Sequence, residues 1–330
     1  MLRKHKLTTF IVLLLTNIMV PLNVFAYSDY ILAGGQNIGI ELDSDGIIIV
    51  GTYDIGNTSP ASDANLKTGD KIIGINDTKV SSISEMVDTI NASDGNNIKI
   101  DYLRGNKELS TTLNLIMDDD KVYKTGLYVK DSINGVGTLT FIDPNTKNYG
   151  ALGHEIIEKT TGQKLEIKDG KIYASVVTGI NPSAEGNPGE KNARYDTSDV
   201  FGNITENSTS GIFGTYTSNL PNTKLYKVAK PDEIELGAAS ILTVTSGTEV
   251  VEYDINILKV SKEDKSAKNL LFEVTDSELL KVSGGIVQGM SGSPIIQGDN
   301  IIGAVTHVVV EDCTKGYGIF ITNMLEEAEN

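Results

Sequence analysis

The sequence predicts a mainly β protein with minor α content, in which a small α+β domain precedes a larger all-β domain. Residues 38 to 116 alternate apolar strands with one amphipathic helix, whereas from Tyr123 onward short strands follow one another between Gly, Asn, Asp and Pro turns. A chain of 330 residues with 39% hydrophobic content is long and apolar enough to build a core for each.

The first residues place Arg3, Lys4 and Lys6 ahead of an apolar run from Phe10 to Val20, then Pro21 and a Val24-Phe25-Ala26 ending. That order is an export segment, read as residues 1–26, either cleaved before Tyr27 or retained as a short anchor. Loss of its three cations takes the net charge from −16 to −19. So acidic a surface, with a pI near 4.6, argues against a nucleic-acid partner.

Residues 27–117 form the small domain. "IGIEL", "GIIIVGTY" and "KIIGIN" are β-rich, and "NIKIDYLR" sets Ile98, Ile100 and Tyr102 on one face. Ser82 and Glu85 make a capping-box pattern, and Ile83, Met86, Val87 and Ile90 follow the spacing of a buried helical stripe. Asp118, Asp119 and Asp120 come next. Adjacent carboxylates of an extended chain point apart, so 118–122 reads as a solvated linker, not a cation site.

In residues 123–330 the stretches "GVGTLTFIDPNTKNYGALGHEI", "KLEIKDGKIYASVV", "SILTVTSGTEVVEYDINILKV" and "IIGAVTHVVV" are strand-rich, the pattern of a sandwich or barrel. The region 181–231, rich in Gly, Asn, Ser and Thr, reads as long loops.

The segment "GMSGSP" poses the chemical question. Gly289 and Gly292 permit a sharp turn at Ser291, in which the N–H groups of Gly289 and Ser291 would share a direction with the hydroxyl and receive an oxyanion. A plain polar hairpin is the competing reading. A serine hydroxyl needs a base, commonly His. The chain has three histidines, and His5 lies in the export segment. His154, between Gly153 and Glu155, is the candidate, whereas His307 in "GAVTHVVV" reads as a sheet-face residue. Cys313, the single cysteine, excludes an internal disulfide and reads as a small turn residue. Nothing in this inventory calls for a metal or cofactor.

Two resemblances sharpen these expectations. "SPASDANLKTGDKIIGINDTKV" resembles the most recognisable stretch of a PDZ domain. That implies a groove in which a peptide carboxyl terminus or a self segment adds as a strand, with Ile38, Gly39 and Ile40 as its carboxylate loop and the helix after Ser82 as its other wall. "GMSGSP" is similar to the Gly-Asp-Ser-Gly-Gly-Pro turn of chymotrypsin-like serine peptidases, with Met290 and Ser293 as departures, which implies a double β-barrel. The PDZ-like domain followed by "GLYVKDSINGVGTLTFIDPNTKNYGALGHEI" and "TDSELLKVSGGIVQGMSGSPIIQGDNIIGAVTHV" resembles the SpoIVB peptidase family.

That family resemblance implies His154 and Ser291 as catalytic residues, Asp276 as the acid of the triad, and Thr306 and His307 in the substrate cleft. The layout of chymotrypsin-like chains, with the acid between His and Ser and well separated from the Ser, keeps Asp199 as an alternative. It further implies an exported serine endopeptidase in the space between mother-cell and forespore membranes. There it would cut a regulatory membrane protein, and itself, to trigger processing of a sigma-factor precursor. A non-catalytic PDZ adaptor is the reading from another class. A general quality-control protease fits less well, because such enzymes resemble peptidase first and PDZ second.

Overall fold

Strand-forming residues dominate the chain, and a computed structural model describes them at residues 27–93, 95–262 and 267–329. Residues 1–26, expected from the sequence to direct export, lie outside the described residues. In chain order the elements are β1 (Tyr30–Ala33), β2 (Asn37–Thr52), α1 (Pro60–Asp63), β3 (Lys71–Ile75), β4 (Thr78–Lys79), α2 (Ile83–Asn91), β5 (Asn97–Arg104), β6 (Lys107–Asn114), β7 (Ile116–Met117), β8 (Tyr123–Lys124) and β9 (Leu127–Ile142). There follow β10 (Asn148–Ala151), β11 (Ile167–Asn181), β12 (Glu190–Asn203), β13 (Glu206–Ser208), β14 (Gly211–Thr215), β15 (Leu225–Val228), β16 (Gly237–Thr243) and β17 (Val251–Val260). The last are β18 (Leu270–Val274), α3 (Ser277–Ser283), β19 (Pro294–Gln297), β20 (Asn300–Val308), β21 (Lys315–Phe320) and α4 (Ile321–Ala328).

The double barrel follows from the pairing. Around the second barrel β16 pairs β17, β17 pairs β18, β18 pairs β21, β21 pairs β20, β20 pairs β19, and β19 returns to β16, so six strands close on themselves. Closure removes the sheet edges, and Ile241, Ile255, Phe272, Leu270 and Ile295 fill the interior. The first barrel runs β9, β10, β14, β12, β11, β2 and back to β9, the β14 to β12 step being the bridge of Tyr216 to Gly202. Ile38, Ile40, Leu42, Leu139, Tyr149 and Ile172 are its core. Phe141, Phe213, Ile301, Ala304 and Met324 of α4 pack in a further cluster that includes residues of both barrels.

The small domain is not a simple tandem unit ending at residue 117. β2 and β9 pair from Asn37 with Thr138 to Thr52 with Leu127, so one ribbon begins in the first barrel and continues into the small unit. β1 belongs to the barrels, pairing β15 and β9. The small unit is therefore an insertion between two long strands, a layout that joins it to the barrel by many main-chain hydrogen bonds instead of a linker. Its core holds Ile47, Ile49, Leu66, Ile72, Met86, Ile98, Ile100 and Tyr102. The expected face of Ile98, Ile100 and Tyr102 is buried.

Local chemistry explains the rest. Ser82 caps α2 by accepting from Glu85 N at 3.2 Å, and Glu85 reaches back to Ser81 N at 2.7 Å. Met86 and Ile90 are buried as the helical stripe requires, but Val87 is exposed, because α2 buries a narrower face than four apolar positions suggest. Arg104 holds the buried carboxylate of Asp70 by two 2.7 Å bonds, a fork that fixes the turn before β3. The acidic run is a tight turn between β7 and β8, in which Asp118 accepts from the amides of Asp120 and Val122.

Two expectations change here. The region 181–231 contains the strands β12 to β15, the longest of them, β12, in a hairpin with β11, not only long loops. Much of β12 is exposed, so no apolar alternation marks it in the sequence. Ile38, Gly39 and Ile40 lie inside the first barrel, paired on one side with Gly137, Val136 and Gly135 and on the other with Ala174, Tyr173 and Ile172. With both flanks occupied they present no open edge to a peptide carboxylate. Gly39 is required there by the Tyr195 ring, which a Cβ would meet at 2.2 Å.

Candidate active site

The turn "GMSGSP" links the second-barrel wall to β19, and glycine dihedrals shape it: φ is +92° at Gly289 and +93° at Gly292, in the region L side chains rarely adopt. First-barrel residues clamp it. Thr138 N donates to Ser291 O at 3.0 Å, Thr138 Oγ1 to Gly289 O at 2.8 Å, and Thr140 Oγ1 to Gly292 O at 2.8 Å. The turn thus sits where the two barrels meet, and both contribute to its shape.

Those bonds have a chemical consequence. In a trans peptide the N–H and C=O point in opposite directions, so a carbonyl fixed on one side aims its amide to the other. Gln288 O is fixed by Lys191 N at 2.9 Å and Met290 O by Ser293 N at 2.9 Å. The amides on those two peptides belong to Gly289 and Ser291, and among the described residues neither has an acceptor. Two oriented, unpaired donors flanking a serine are the feature an oxyanion requires.

Ser291 itself donates from Oγ to Thr306 O at 2.7 Å. Ser293, two residues on, is fully buried, which removes it from any substrate's reach, and its hydroxyl has no partner among the described residues. On the facing side, the chain leaves β10 through Leu152 and Gly153, both left-handed with φ of +69° and +72°. Leu152 is a costly residue for that conformation, and the bend carries His154 toward β20. Gly153 lies so close to Thr306 that a Cβ would meet its methyl at 2.9 Å. The ring of His154 packs 5.0 Å from that of His307, tilted by 41°. Ser291, His154 and His307 therefore converge on the Thr306–His307 segment of β20.

The imidazole is oriented by the main chain. His154 Nδ1 lies 2.8 Å from Glu155 O, and because a carbonyl only accepts, Nδ1 carries the proton and Nε2 is left as the base. Ser291 and His154 are not hydrogen-bonded to each other in this resting geometry. A rotation about the Ser291 Cα–Cβ bond frees the hydroxyl from Thr306 O.

Asp276, the expected acid of the triad, makes helix-capping bonds. Its Oδ1 accepts from Glu278 N and Leu279 N at 2.9 Å each, which makes it the N-cap of α3, and no bond joins it to His154. Asp199 lies on the exposed face of β12, near Tyr216. Asp276→Ala is expected to cost about 1 kcal/mol of stability, and Asp276→Asn a few tenths, since Asn caps nearly as well. Urea denaturation checks this, and an activity loss in the Asn variant at unchanged stability would assign the carboxylate a catalytic role its bonds do not show. Thr306 is buried, with Oγ1 on Ala267 O, so its carbonyl rather than its side chain meets the site. His307, read from sequence as a sheet-face residue, keeps an exposed outer face beside His154.

Burial holds the His154 imidazole below its ordinary pKa, partly opposed by the Glu155 carbonyl. His307 falls further, to about 4, through burial of its inner face and then the charges of His154 and Lys268. A base with a depressed folded pKa makes the unfolded chain bind more protons between the two values, so stability drops as pH falls from about 6.5 to 4. His307→Gln is expected to flatten that part of the stability curve, as read by denaturant midpoints at pH 7 and 4.5.

A double β-barrel whose interface presents a serine, a poised imidazole and two oriented amides defines a serine peptidase. Residues 121–325 match the family described as SpoIVB peptidase S55, and the chain belongs to that family; residues 37–115 match a PDZ domain. Among solved structures, the chain is similar to the PDZ domain of an SdrC-like protein from Listeria monocytogenes, with 27% identity over 26% of this chain and 90% of that one, at a TM-score of 0.23. It is similar to the Rv3671c protease from M. tuberculosis in its active form, with 15% identity over 74% and 85% and a TM-score of 0.31. The inactive form gives 16% identity over 57% and 80%, with a TM-score of 0.30. None of the curated proteins matches the chain.

Proposed function

We propose that this serine peptidase is an exported endopeptidase of sporulation signalling that cuts a regulatory protein in or at a membrane, and also itself. Ser291 attacks the scissile carbonyl; His154 Nε2 takes its proton and gives it to the amine that leaves, then takes a proton from the water that releases the acyl group and returns one to the serine, while the Gly289 and Ser291 amides stabilise the oxyanion of each tetrahedral intermediate. The observation that carries the catalytic part is the pair of unpaired amides flanking Ser291, each aimed by a hydrogen bond to its own peptide's carbonyl. The family to which the chain belongs supports the sporulation role, and the basic-then-apolar start of the sequence supports export. No helix among the described residues is long and apolar enough to cross a membrane.

The inserted unit supplies a docking element for the substrate or for a self segment. Along Tyr128–Asn134 the outer edge of β9 has no strand partner among the described residues, and α2 is tied beside it by Ile83 N to Asp131 Oδ2 at 2.7 Å. An extended peptide adding there would complete a strand beside a helix, the geometry PDZ recognition uses.

The test is to incubate the purified chain, with and without Ser291→Ala, alone and with membranes of sporulating cells, then map new termini by mass spectrometry. Termini in the chain and in a membrane protein that vanish with the substitution support the proposal. A chain that binds peptide carboxyl termini but yields no new termini is an adaptor, and the proposal fails.

A further inference from the structure

Lys191, at the start of β12, is the one fully buried lysine of the described residues, with 4% of its surface exposed. Its Nζ donates to Thr243 Oγ1 at 2.8 Å, and among the described residues no carboxylate pairs with it. The segments against it bring no charge: Ile180 is its register partner on β11, Thr243 lies on β16, and Gln288 and Gly289 belong to the nucleophile turn. On its own strand Glu190 and Arg194 are exposed, Glu190 taking a bond from Asn181 Nδ2. An ammonium taken out of water without a counter-ion costs stability, and a methionine of similar shape would avoid that cost.

Its position relative to the turn gives a reason for the lysine. Its stem wraps Gly289, where a Cβ would meet Lys191 Cβ, Cδ and Cγ at 3.1, 3.3 and 3.4 Å. Its main-chain N–H holds Gln288 O, the carbonyl of the peptide that carries the Gly289 amide. We propose that Lys191 is a positioning residue of the oxyanion hole, tethered through Nζ to Thr243 so that the 288–289 peptide keeps its amide toward the reacting carbonyl, with a positive charge behind it. The inference rests on Ser291 as nucleophile. Burial lowers the Lys191 pKa to about 7, so the charge is present in mildly acid solution and lost above it.

The experiment compares the full exported chain with its Lys191→Met and Thr243→Val variants, by kinetics on one peptide substrate from pH 5.5 to 9 and by thermal melting at pH 6 and 10. In the parent, activity is expected to fall as pH rises through about 7. Lys191→Met is expected to lose that falling limb and to lower kcat about 10-fold at pH 6.5 with KM unchanged, a fraction of what losing an oxyanion donor costs. Thr243→Val removes the one acceptor the ammonium has among the described residues, so its limb moves to lower pH. Because an unfolded lysine titrates near 10.4, Lys191→Met is expected to raise the melting temperature at pH 6 more than at pH 10. A Lys191→Met enzyme that keeps the limb and kcat overturns the proposal, as does a loss of melting temperature with a pH-independent loss of rate. If that variant does not fold, an unmoved limb in Thr243→Val overturns it. Fluorophosphonate labelling that survives Ser291→Ala would sink the nucleophile assignment instead, a result separable from these.

Discussion

Ser291→Ala is expected to lower peptide hydrolysis by roughly four to six orders of magnitude and to abolish labelling by a fluorophosphonate, whereas Ser293→Ala leaves labelling in place. The sequence offers two hydroxyls in "GMSGSP", and chemistry alone does not separate them. Burial does. Ser293 is sealed beneath the turn, while Ser291 reaches the Thr306 carbonyl at the barrel interface, with its own amide and that of Gly289 unpaired beside it. Labelling that follows Ser293 instead would mean the turn is inverted from the one described.

Gly292→Ala is expected to cost about 3–5 kcal/mol and to abolish activity with it. An added Cβ would lie 2.0 Å from Thr138 O and 2.5 Å from Leu152 N, backbone atoms of the first barrel that cannot swing aside like a side-chain tip. The φ of +93° adds its own penalty. The barrel interface would have to part at Thr138 and Leu152, the segments that hold Ser291 and lead into His154. Gly298→Ala is the control: its φ is +62° but a Cβ there meets nothing within 4 Å, so about 1 kcal/mol is expected. Comparing urea midpoints of the two separates backbone strain from the clash.

The legible parts of the fold were those with a period. Ile98, Ile100 and Tyr102 alternate and are buried, and Ser82 opens a helix as its hydroxyl requires. Exposed β12 has no apolar period to read, and the β2–β9 ribbon is invisible because pairing partners some ninety residues apart leave no mark in either strand alone. For the same reason Ile38-Gly39-Ile40 looked like a ligand loop: its glycine admits close approach, but the object that approaches is Tyr195. Asp276 carries an N-cap signature, and the structure gives it that bond. Lys191 had no signal at all, since one lysine in a polar stretch is marked only by what folds over it.

By itself the sequence determined the β class, the glycine turn around Ser291 and the short roll of available bases, because these depend on local dihedral freedom and on side-chain chemistry. Tertiary structure alone decided which hydroxyl is accessible, which carbonyl orients His154, which amides stay unpaired, and that a buried lysine stands behind one of them. Each of those depends on closing six-stranded rings and pressing two barrels together, and burial and direction are properties of that closure, not of any residue in it.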